Sequence, residues 1–257
     1  MAGEPFVELK NITKRFGGLM ALGGVSLDVH PGEVLAIVGD NGAGKSTLIK
    51  ILSGVYSATS GSIVVGGREV TINTPNDARE LGIETVHQSL GLVDTLNAWE
   101  NFFLGNEIHK SYLGGFLRVL DNKTMRIEAE RTLKEKLNMV IPDAHRPVYF
   151  RSGGQKQAIA IGRTLYHQDV KLLVLDEPTA ALGPEESDRI LQLVRDLRDN
   201  GLAIIMISHN IDQVVDVADR AAVFWRGRVM GTVDPKTTGH TAIVEMIMGR
   251  DVMKGAA

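Results

Sequence analysis

The chain contains no cysteine among its 257 residues. This absence excludes disulfide bonds, zinc sites with cysteine ligands and thiol nucleophiles, and it is typical of a reducing cytosol. Long apolar runs are also missing, since runs such as residues 172–175 and 202–207 are far shorter than the roughly 18 residues that cross a bilayer. The first residues, MAGEPFVELKN, lack the basic stretch and apolar core of a signal peptide. We therefore expect a chain that is not exported and that meets a membrane only through a partner.

The chain also has little net charge. It carries 28 Lys and Arg against 31 Asp and Glu, which gives a net charge of −3 and a pI of about 6.2. This balance disfavours a basic nucleic-acid binder, so we expect no nucleic-acid partner. The hydrophobic share of 44% and charged share of 23% are typical of a folded globular protein. At about 150 residues per domain, the length predicts one large domain or two modest ones.

Alternating apolar residues in the first 35 or so positions predict short antiparallel strands. Residues 33–38 form a continuous apolar run of strand length, which predicts a strand buried on both faces. A helix is predicted over 46–52, and residues 63–70 predict a hairpin that turns at Gly66-Gly67.

From about residue 89 to 150 the strand pattern fades and helices are predicted over 98–104 and 121–137. In the second of these, Asp121 is a plausible N-cap, and the apolar side chains recur every four residues at Met125, Ala129, Leu133 and Leu137. Helix and strand then alternate, over 153–168, 171–175, 185–200 and 202–207, and we expect residues 254–257 to be loose. The pattern predicts an α/β fold with a parallel sheet covered by helices, an N-terminal antiparallel β region and a helical insertion.

A phosphate-binding loop follows the buried strand at 33–38. Its sequence fits G-x-x-x-x-G-K-[ST] and lies between a strand and a helix, the context that this motif requires. Glycines let backbone N–H groups approach phosphates at a helix N-terminus, Lys45 would neutralise the phosphates, and Ser46 would ligate Mg²⁺. The candidate residues are Gly39, Asp40, Asn41, Gly42, Ala43, Gly44, Lys45, Ser46 and the following Thr47.

Polar side chains stand at the ends of two later apolar strands. Asp176 and Glu177 follow 171–175, and His209 follows 202–207. Ligands in open parallel sheets lie beyond the carboxyl ends of the strands. We therefore expect Asp176 to bind Mg²⁺, directly or through water, Glu177 to act as general base on the attacking water, and His209 to meet the γ-phosphate. Taken alone, these side chains fit a structural role as well.

A second candidate anion site opens the helix that precedes Asp176, because exposed N–H groups and the helix dipole favour phosphate there. Its residues are Ser152, Gly153, Gly154 and Gln155. A single nucleotide has no use for two such loops.

The sequence resembles the ATP-binding subunit of an ABC transporter over nearly the whole chain. The features that carry the resemblance are, in their order along the chain, the phosphate loop, SGGQ, the sequence LLVLDEP and the strand-end His. The resemblance implies one ABC ATP-binding domain over 1–257, a P-loop NTPase core with a helical subdomain at about 89–165, and ATP with Mg²⁺ as ligands. It also implies a second copy of the chain, paired head to tail, so that each ATP lies between the phosphate loop of one subunit and the SGGQ segment of the other.

By the same resemblance, Gln88 corresponds to the family's glutamine that senses Mg²⁺ and the attacking water, and thus adds to the metal candidates Ser46 and Asp176. Phe16 corresponds to the aromatic residue that stacks on adenine. Without this context, Gln88 fits a surface turn and Phe16 a core position beside a strand.

Three shorter stretches, residues 13–18, 99–105 and 247–250, resemble bacterial sugar importers of the ribose and fructose type. That likeness implies membrane-spanning permease subunits that dock near Gln88 and 98–104. It also implies, indirectly, a periplasmic sugar-binding protein, and a peripheral location on the cytoplasmic face of the bacterial inner membrane. Many such relatives carry two fused ATP-binding halves, whereas this sequence holds one.

Two positions depart from the family pattern. Arg151 replaces the usual Leu before SGGQ, which places a charge at the edge of that segment. Gly183 stands where the family usually has an Asp that links the two sites of the dimer. We expect hydrolysis to survive both changes and coupling between the two sites to be weakened.

Several alternatives are less consistent with these residues. DNA-repair ABC ATPases carry a long coiled coil where this chain has 62 residues, 89–150, and ribosome-acting relatives carry two halves and a basic linker. A P-loop kinase would leave SGGQ and His209 unexplained. An exporter would usually carry a Glu-rich segment where this chain has RPVYF. An importer of a non-sugar substrate also stays open.

Overall fold

A computed structural model describes residues 3–112, 117–143, 145–167 and 169–250. The predicted helix end at 168 and the loose residues 254–257 lie outside that part. The strands are β1 (Val7–Phe16), β2 (Leu19–Val29), β3 (Val34–Gly39), β4 (Ser60–Val65), β5 (Arg68–Val70), β6 (Ile83–Val86), β7 (His109–Tyr112), β8 (Leu117–Leu120), β9 (Leu172–Asp176), β10 (Ala203–Ile207), β11 (Arg220–Trp225) and β12 (Arg228–Val233). The helices are α1 (Lys45–Leu52), α2 (Pro75–Glu80), α3 (Ala98–Phe103), α4 (Asn122–Leu137), α5 (Gly153–His167), α6 (Pro184–Asp199), α7 (Ile211–Val217), α8 (Pro235–Thr238) and α9 (His240–Ile247).

The described residues form two compact units. The first comprises the described parts of 1–85, 169–178 and 194–257, and the second those of 86–168 and 179–193. The first unit contains the two large sheets, and the second contains most of the helices between β6 and β9.

The larger sheet of the first unit has six strands in the order β12-β11-β3-β10-β9-β6. β3 runs parallel to β10 and β11, β10 runs parallel to β9, and β12 pairs antiparallel with β11 at the edge. The predicted α/β fold with a parallel core is therefore confirmed. Because β3, β10 and β9 are neighbours, their carboxyl ends lie side by side.

Burial explains why these strands read as unbroken apolar runs. The first five residues of β3 and all of β10 are buried. Their continuous apolar sequences had predicted this, because strands covered on both faces lack polar alternation. The smaller sheet, in the order β2-β1-β4-β5, is antiparallel throughout, as predicted for the N-terminal region. Apolar side chains of both sheets and of α1 form one continuous core.

An ionic network joins β2, the start of β3 and β11 at the amino end of the parallel sheet. Arg220 donates to Asp28 Oδ2 at 3.0 Å and to the buried Glu33 Oε1 at 3.0 Å. Glu33 Oε2 in turn accepts the backbone N–H of His30 at 2.8 Å. Burial raises the pKa of Asp28, but hydrogen bonds from Arg220 and His30 outweigh it and hold that pKa below its usual value.

Removal of the Arg220 guanidinium should destabilise the fold. Arg220→Met leaves Glu33 buried without its cation, and we expect the free energy of unfolding to fall by about 2–4 kcal/mol. Chemical denaturation measures this loss. Arg68→Met removes an exposed charge from β5 and should change stability by less than about 0.5 kcal/mol. Equal effects of the two variants would contradict this role for the network.

In the second unit, α3, α4 and α5 pack together around the rings of Phe102, Phe103 and Tyr166. The helices begin where predicted, because Asp121 accepts the N–H of Thr124 and Asn97 forms a capping box with Glu100. Helices were predicted for this region, and the pairing of two strands was not. β7 and β8 pair antiparallel and all of their residues are exposed, so no burial pattern marked them in the sequence. Within the described residues, no helix is long and apolar enough to cross a membrane.

Candidate functional site

The phosphate loop connects β3 to α1, as the motif requires. Its three glycines adopt positive φ angles, but for different reasons. A Cβ on Gly39 would lie 2.4 Å from the Phe224 carbonyl oxygen, and one on Gly44 would lie 2.8 Å from Leu22 Cδ2. A Cβ on Gly42 would meet nothing within 4 Å, so Gly42 lies on the open face of the loop.

Hydrogen bonds within the loop and from Gly227 also hold its conformation. Ala43 N–H donates to the Asp40 carbonyl at 3.1 Å, and Gly227 N–H donates to the Ala43 carbonyl at 2.9 Å. Asp40 Oδ1 accepts the N–H of Asn41 at 2.8 Å. Ser46, in the first turn of α1, is exposed, and Thr47 beside it is half-buried.

Lys45 is the buried cation of this loop. Its Nζ donates to the carbonyl oxygens of Gly39 at 2.6 Å and Asp40 at 3.0 Å. Burial lowers the pKa of Lys45, while the carboxylates of Glu177, Asp40 and Asp176 act in the opposite direction. The lysine thus lies near carboxylates and is largely shielded from solvent, so its ammonium group would interact strongly with an approaching polyphosphate.

Glu177 follows Asp176, the last residue of β9, and has an unusual backbone. Its φ is +51°, a left-handed conformation that costs a non-glycine residue energy and that is frequent at functional sites. Its N–H donates to the Ile207 carbonyl at 3.1 Å, which fixes this turn to the end of β10.

His209 lies two residues beyond β10, between the ends of β3 and β9 in the sheet order. Its Nδ1 lies 3.3 Å from Glu177 Oε1. The His209 ring is mostly exposed, whereas Glu177 is mostly covered. The first unit therefore brings together Lys45, Asp176, Glu177 and His209, which the sequence placed in three separate segments.

Phe16, at the end of β1, is 42% exposed. Its ring meets that of Tyr56 edge to face at 5.2 Å, and Lys14 Nζ lies 5.1 Å from its centroid. The half-open ring fits a stacking platform. Sequence reasoning missed the support from Tyr56 and Lys14, and no motif marks either residue.

The other predicted residues belong to the second unit. Gln88 is exposed, two residues after β6. Ser152, Gly153, Gly154 and Gln155 open α5.

The SGGQ sequence also has a structural reading within its own unit. Ser152 Oγ accepts the N–H of Gln155 at 3.4 Å, and Gln155 Oε1 accepts the N–H of Ser152 at 3.3 Å, which is the geometry of a capping box. A Cβ on Gly153 would lie 2.4 Å from Leu182 Cδ2. The glycines are thus required for packing as well as for anion approach, and the N–H groups of Gly153 and Gly154 have no intrahelical partner.

The two departures from the family pattern lie in the second unit as well. Arg151 bears the charge expected at the edge of SGGQ, but it is buried and donates to the carbonyls of Pro142, Asp143 and Arg146. Burial lowers its pKa. A Cβ on Gly183 would meet nothing within 4 Å, so packing does not require a glycine there.

Comparison with known families decides the identity. The sequence model of the family described as ABC transporter matches residues 22–180, which include the phosphate loop, SGGQ, Asp176 and Glu177. The chain belongs to the ABC transporter family. The resemblance inferred from the motifs is thereby confirmed.

Curated ABC relatives are similar along nearly the whole chain. The xylose/arabinose import ATP-binding protein of Sulfolobus acidocaldarius is 41% identical, over 94% of this chain and 93% of the relative. The fructose import ATP-binding protein of Rhizobium meliloti is 42% identical, over 97% and 96%. A ribose import ATP-binding protein of Escherichia coli O157:H7 is 39% identical over 97% of this chain but only 48% of its own length.

Solved ABC structures share the fold. An ATP-binding cassette of an ABC transporter in its ADP conformation superposes with a TM-score of 0.78 at 27% identity, over 98% of each chain. A dimeric bacterial ABC transporter cassette superposes with a TM-score of 0.72 at 25% identity, over 89% of this chain and 98% of that one.

Proposed function

We propose that this chain is the ATP-hydrolysing subunit of an ABC importer that takes up a sugar. One observation carries the ATPase assignment: Lys45, Asp176, Glu177 and His209 meet at the carboxyl ends of three adjacent strands. The relatives support a sugar as the transported substrate, since those described above are named as import proteins for xylose or arabinose, fructose, and ribose. Residues 1–257 would form one ABC ATP-binding domain with a helical subdomain at about 89–165.

The phosphate loop, residues 39–47, would bind the β- and γ-phosphates of ATP, and Phe16 would stack on adenine. The open face at Gly42 and the buried ammonium of Lys45 support this assignment. Mg²⁺ would be held by Ser46, Asp176 and Gln88. Hydroxyl, carboxylate and amide oxygens are the hard ligands that Mg²⁺ takes together with phosphate oxygens, so the donor set fits the ion. When bound, Mg²⁺ would neutralise phosphate charge.

In the hydrolytic step, Glu177 accepts a proton from a water molecule as the water oxygen bonds to the γ-phosphorus. The bond from that phosphorus to the ADP oxygen breaks, and Lys45 stabilises the charge on the phosphates. His209 orients Glu177 across their 3.3 Å contact and lies at the strand end where the γ-phosphate is expected. The products are ADP and inorganic phosphate.

ATP would also close a dimer of two copies of the chain. The phosphates bound by one subunit would take further N–H donors from Gly153 and Gly154 of the other, and hydrolysis would remove that complementarity and reopen the pair. The position of SGGQ at the start of the 15-residue α5 supports such a site.

The membrane-spanning permease would dock on the second unit, and a periplasmic sugar-binding protein would act through it. The surface near α3 supports this arrangement: an apolar cavity of about 240 Å³ is lined by Ala98, Trp99, Leu133 and Val140. With its permease bound, the chain would lie peripherally at the cytoplasmic face of the inner membrane.

Phosphate release by the purified chain with ATP and Mg²⁺ tests the proposed chemistry. We expect inorganic phosphate in the presence of fructose, ribose or xylose, with no phosphorylated sugar. A sugar phosphate would identify a kinase instead, and stimulation by DNA or ribosomes would favour the soluble class of ABC ATPase. Sugar uptake into vesicles that contain the chain and its permease tests the transport assignment.

A further inference from the structure

The residues that follow Gln88 form a loop that is held at many points. We call residues 88–97 the glutamine segment. Leu90 and Gly91 both have left-handed backbones, with φ of +52° and +58°. Glycine adopts this conformation freely, but leucine does not. Two short-range hydrogen bonds close the turn, from Leu90 N–H to the His87 carbonyl at 2.9 Å and from Gly91 N–H to the Ser89 carbonyl at 2.6 Å.

Arg163 of α5 bonds to the carbonyl side of the same turn. Its Nη2 donates to the Leu90 carbonyl at 3.3 Å, and its Nη1 donates to the Gly91 carbonyl at 3.1 Å. The guanidinium thus spans the two carbonyls of the strained turn, two residues from Gln88. The planar fork of arginine suits a pair of adjacent acceptors, and lysine cannot reproduce it.

A second contact joins the same helix to the same segment. Lys156, seven residues before Arg163 and therefore on the same face of α5, lies 3.3 Å from Asp94 Oδ1. The backbone immediately before SGGQ also pairs with the segment: Tyr149 N–H donates to the Asp94 carbonyl at 2.9 Å, and Val148 N–H donates to the Leu96 carbonyl at 2.8 Å.

The rest of the segment is fixed from α3. Asn101 is fully buried, and its side chain bonds to both backbone groups of Val93 and to the carbonyls of Leu96 and Asn97. Asn101 thus holds the residues around 93–97 to α3, whereas Arg163 joins the turn next to Gln88 to α5.

We propose that Arg163 is a positioning residue that fixes the glutamine segment to α5, so that Gln88 and the SGGQ segment of one subunit move as one body. This inference rests on the proposed function, in which Gln88 contacts the Mg²⁺ of the subunit's own nucleotide and SGGQ faces the partner's. With Gly183 in place of the Asp expected to link the two sites, Arg163 provides a link within the chain.

The test uses the full-length chain and Arg163→Met. We expect kcat for ATP hydrolysis to fall about tenfold or more, because misplacement of a contacting group has effects of that size. The Mg²⁺ concentration for half-maximal rate should rise, while ATP affinity measured without Mg²⁺ stays unchanged. Arg131→Met is the matched control, since Arg131 is an exposed α4 residue that pairs with Glu128.

Rescue distinguishes positioning from general stability. Asparagine tolerates the left-handed conformation far better than leucine does. Leu90→Asn should therefore restore part of the kcat lost in Arg163→Met, and Leu90→Ala should not. Equal behaviour of the two double variants, or an unchanged kcat and Mg²⁺ requirement in Arg163→Met, would overturn the proposal.

Two further readouts cover other outcomes. If Arg163→Met does not fold, Arg163→Lys keeps the charge but not the fork and should show the same rise in Mg²⁺ requirement; a normal requirement would overturn the proposal. If the unmodified chain releases no phosphate, the proposed function fails, and hydrogen exchange still tests the link. Arg163→Met or Arg163→Lys must then speed exchange of the Leu90 and Gly91 amides, and Arg131→Met must not; unchanged exchange would overturn the link.

Discussion

Glu177→Gln should slow phosphate release by about 10²–10⁴-fold while ATP still binds, because an amide cannot accept the proton of the attacking water. The geometry favours this residue as the base. Glu177 follows β9 in a left-handed turn that is bonded to the end of β10, and its Oε1 lies 3.3 Å from His209 Nδ1. Single-turnover hydrolysis, with nucleotide binding measured separately, gives both quantities.

Glu185→Gln is the control for this substitution. Glu185 lies in the first turn of α6 with its side chain 91% exposed, so the same chemical change there should leave the rate unaltered. An unchanged rate in Glu177→Gln would remove Glu177 from the role of general base. Loss of ATP binding in that variant would indicate that the carboxylate serves the fold of the site instead.

Lys45→Met should weaken ATP binding by about 10²–10³-fold. Methionine keeps most of the buried length of the side chain but removes the charge-assisted hydrogen bonds to phosphate, a loss of about 3–4 kcal/mol. The variant also loses the contacts to the Gly39 and Asp40 carbonyls and the attraction to nearby carboxylates, so a thermal melt checks that it is folded at the temperature of the titration. Titration with ATP measures the affinity.

Lys10→Met provides the matched control, because Lys10 is an exposed residue of β1 whose ion-pair partner is Glu8, at 3.1 Å. Its ATP affinity should equal that of the unmodified chain. If Lys45→Met bound ATP as tightly as Lys10→Met, the loop at 39–47 would not be the phosphate site.

Much of the first unit was predictable because its signals are local. The β3 run is buried on both faces and is followed by a loop whose glycines need positive φ, so strand, loop and helix could be read from residues 33–52 alone. The strand ends that bear Asp176 and His209 were predictable for the same reason. Their proximity to Lys45 was expected, because ligand-binding residues of parallel sheets lie at the carboxyl ends of the strands. The strand order β3-β10-β9 that produces this proximity cannot be predicted from any single segment of the sequence.

The sequence did not reveal three features of the structure. Arg220 reaches Asp28 and Glu33 across 192 and 187 positions, and nothing local distinguishes it from a surface arginine. Arg151 was expected only as a charge at the edge of SGGQ, and its burial among the carbonyls of the preceding loop was not predicted. The exposed hairpin of β7 and β8 lacks the one-sided burial that makes strands visible in a sequence.

Both the sequence and the structure are consistent with two roles for the SGGQ segment, one structural and one in binding phosphate. Its serine and glutamine form a capping box, and Gly153 also allows close packing against Leu182. These roles would be fulfilled in a lone subunit, whereas the proposed role requires a second copy of the chain. Only a measurement on the pair separates them.

The central claim, that ATP joins two copies of this chain through the phosphate loop of one and SGGQ of the other, is tested most directly by the mass of Glu177→Gln in solution. Light scattering with ATP and Mg²⁺ should give twice the mass measured without nucleotide, because bound ATP is not consumed. Ser152→Arg, which places a bulky cation at the start of α5, should stay monomeric in the same background while it still binds ATP. A Glu177→Gln protein that binds ATP and keeps its monomer mass would contradict the claim.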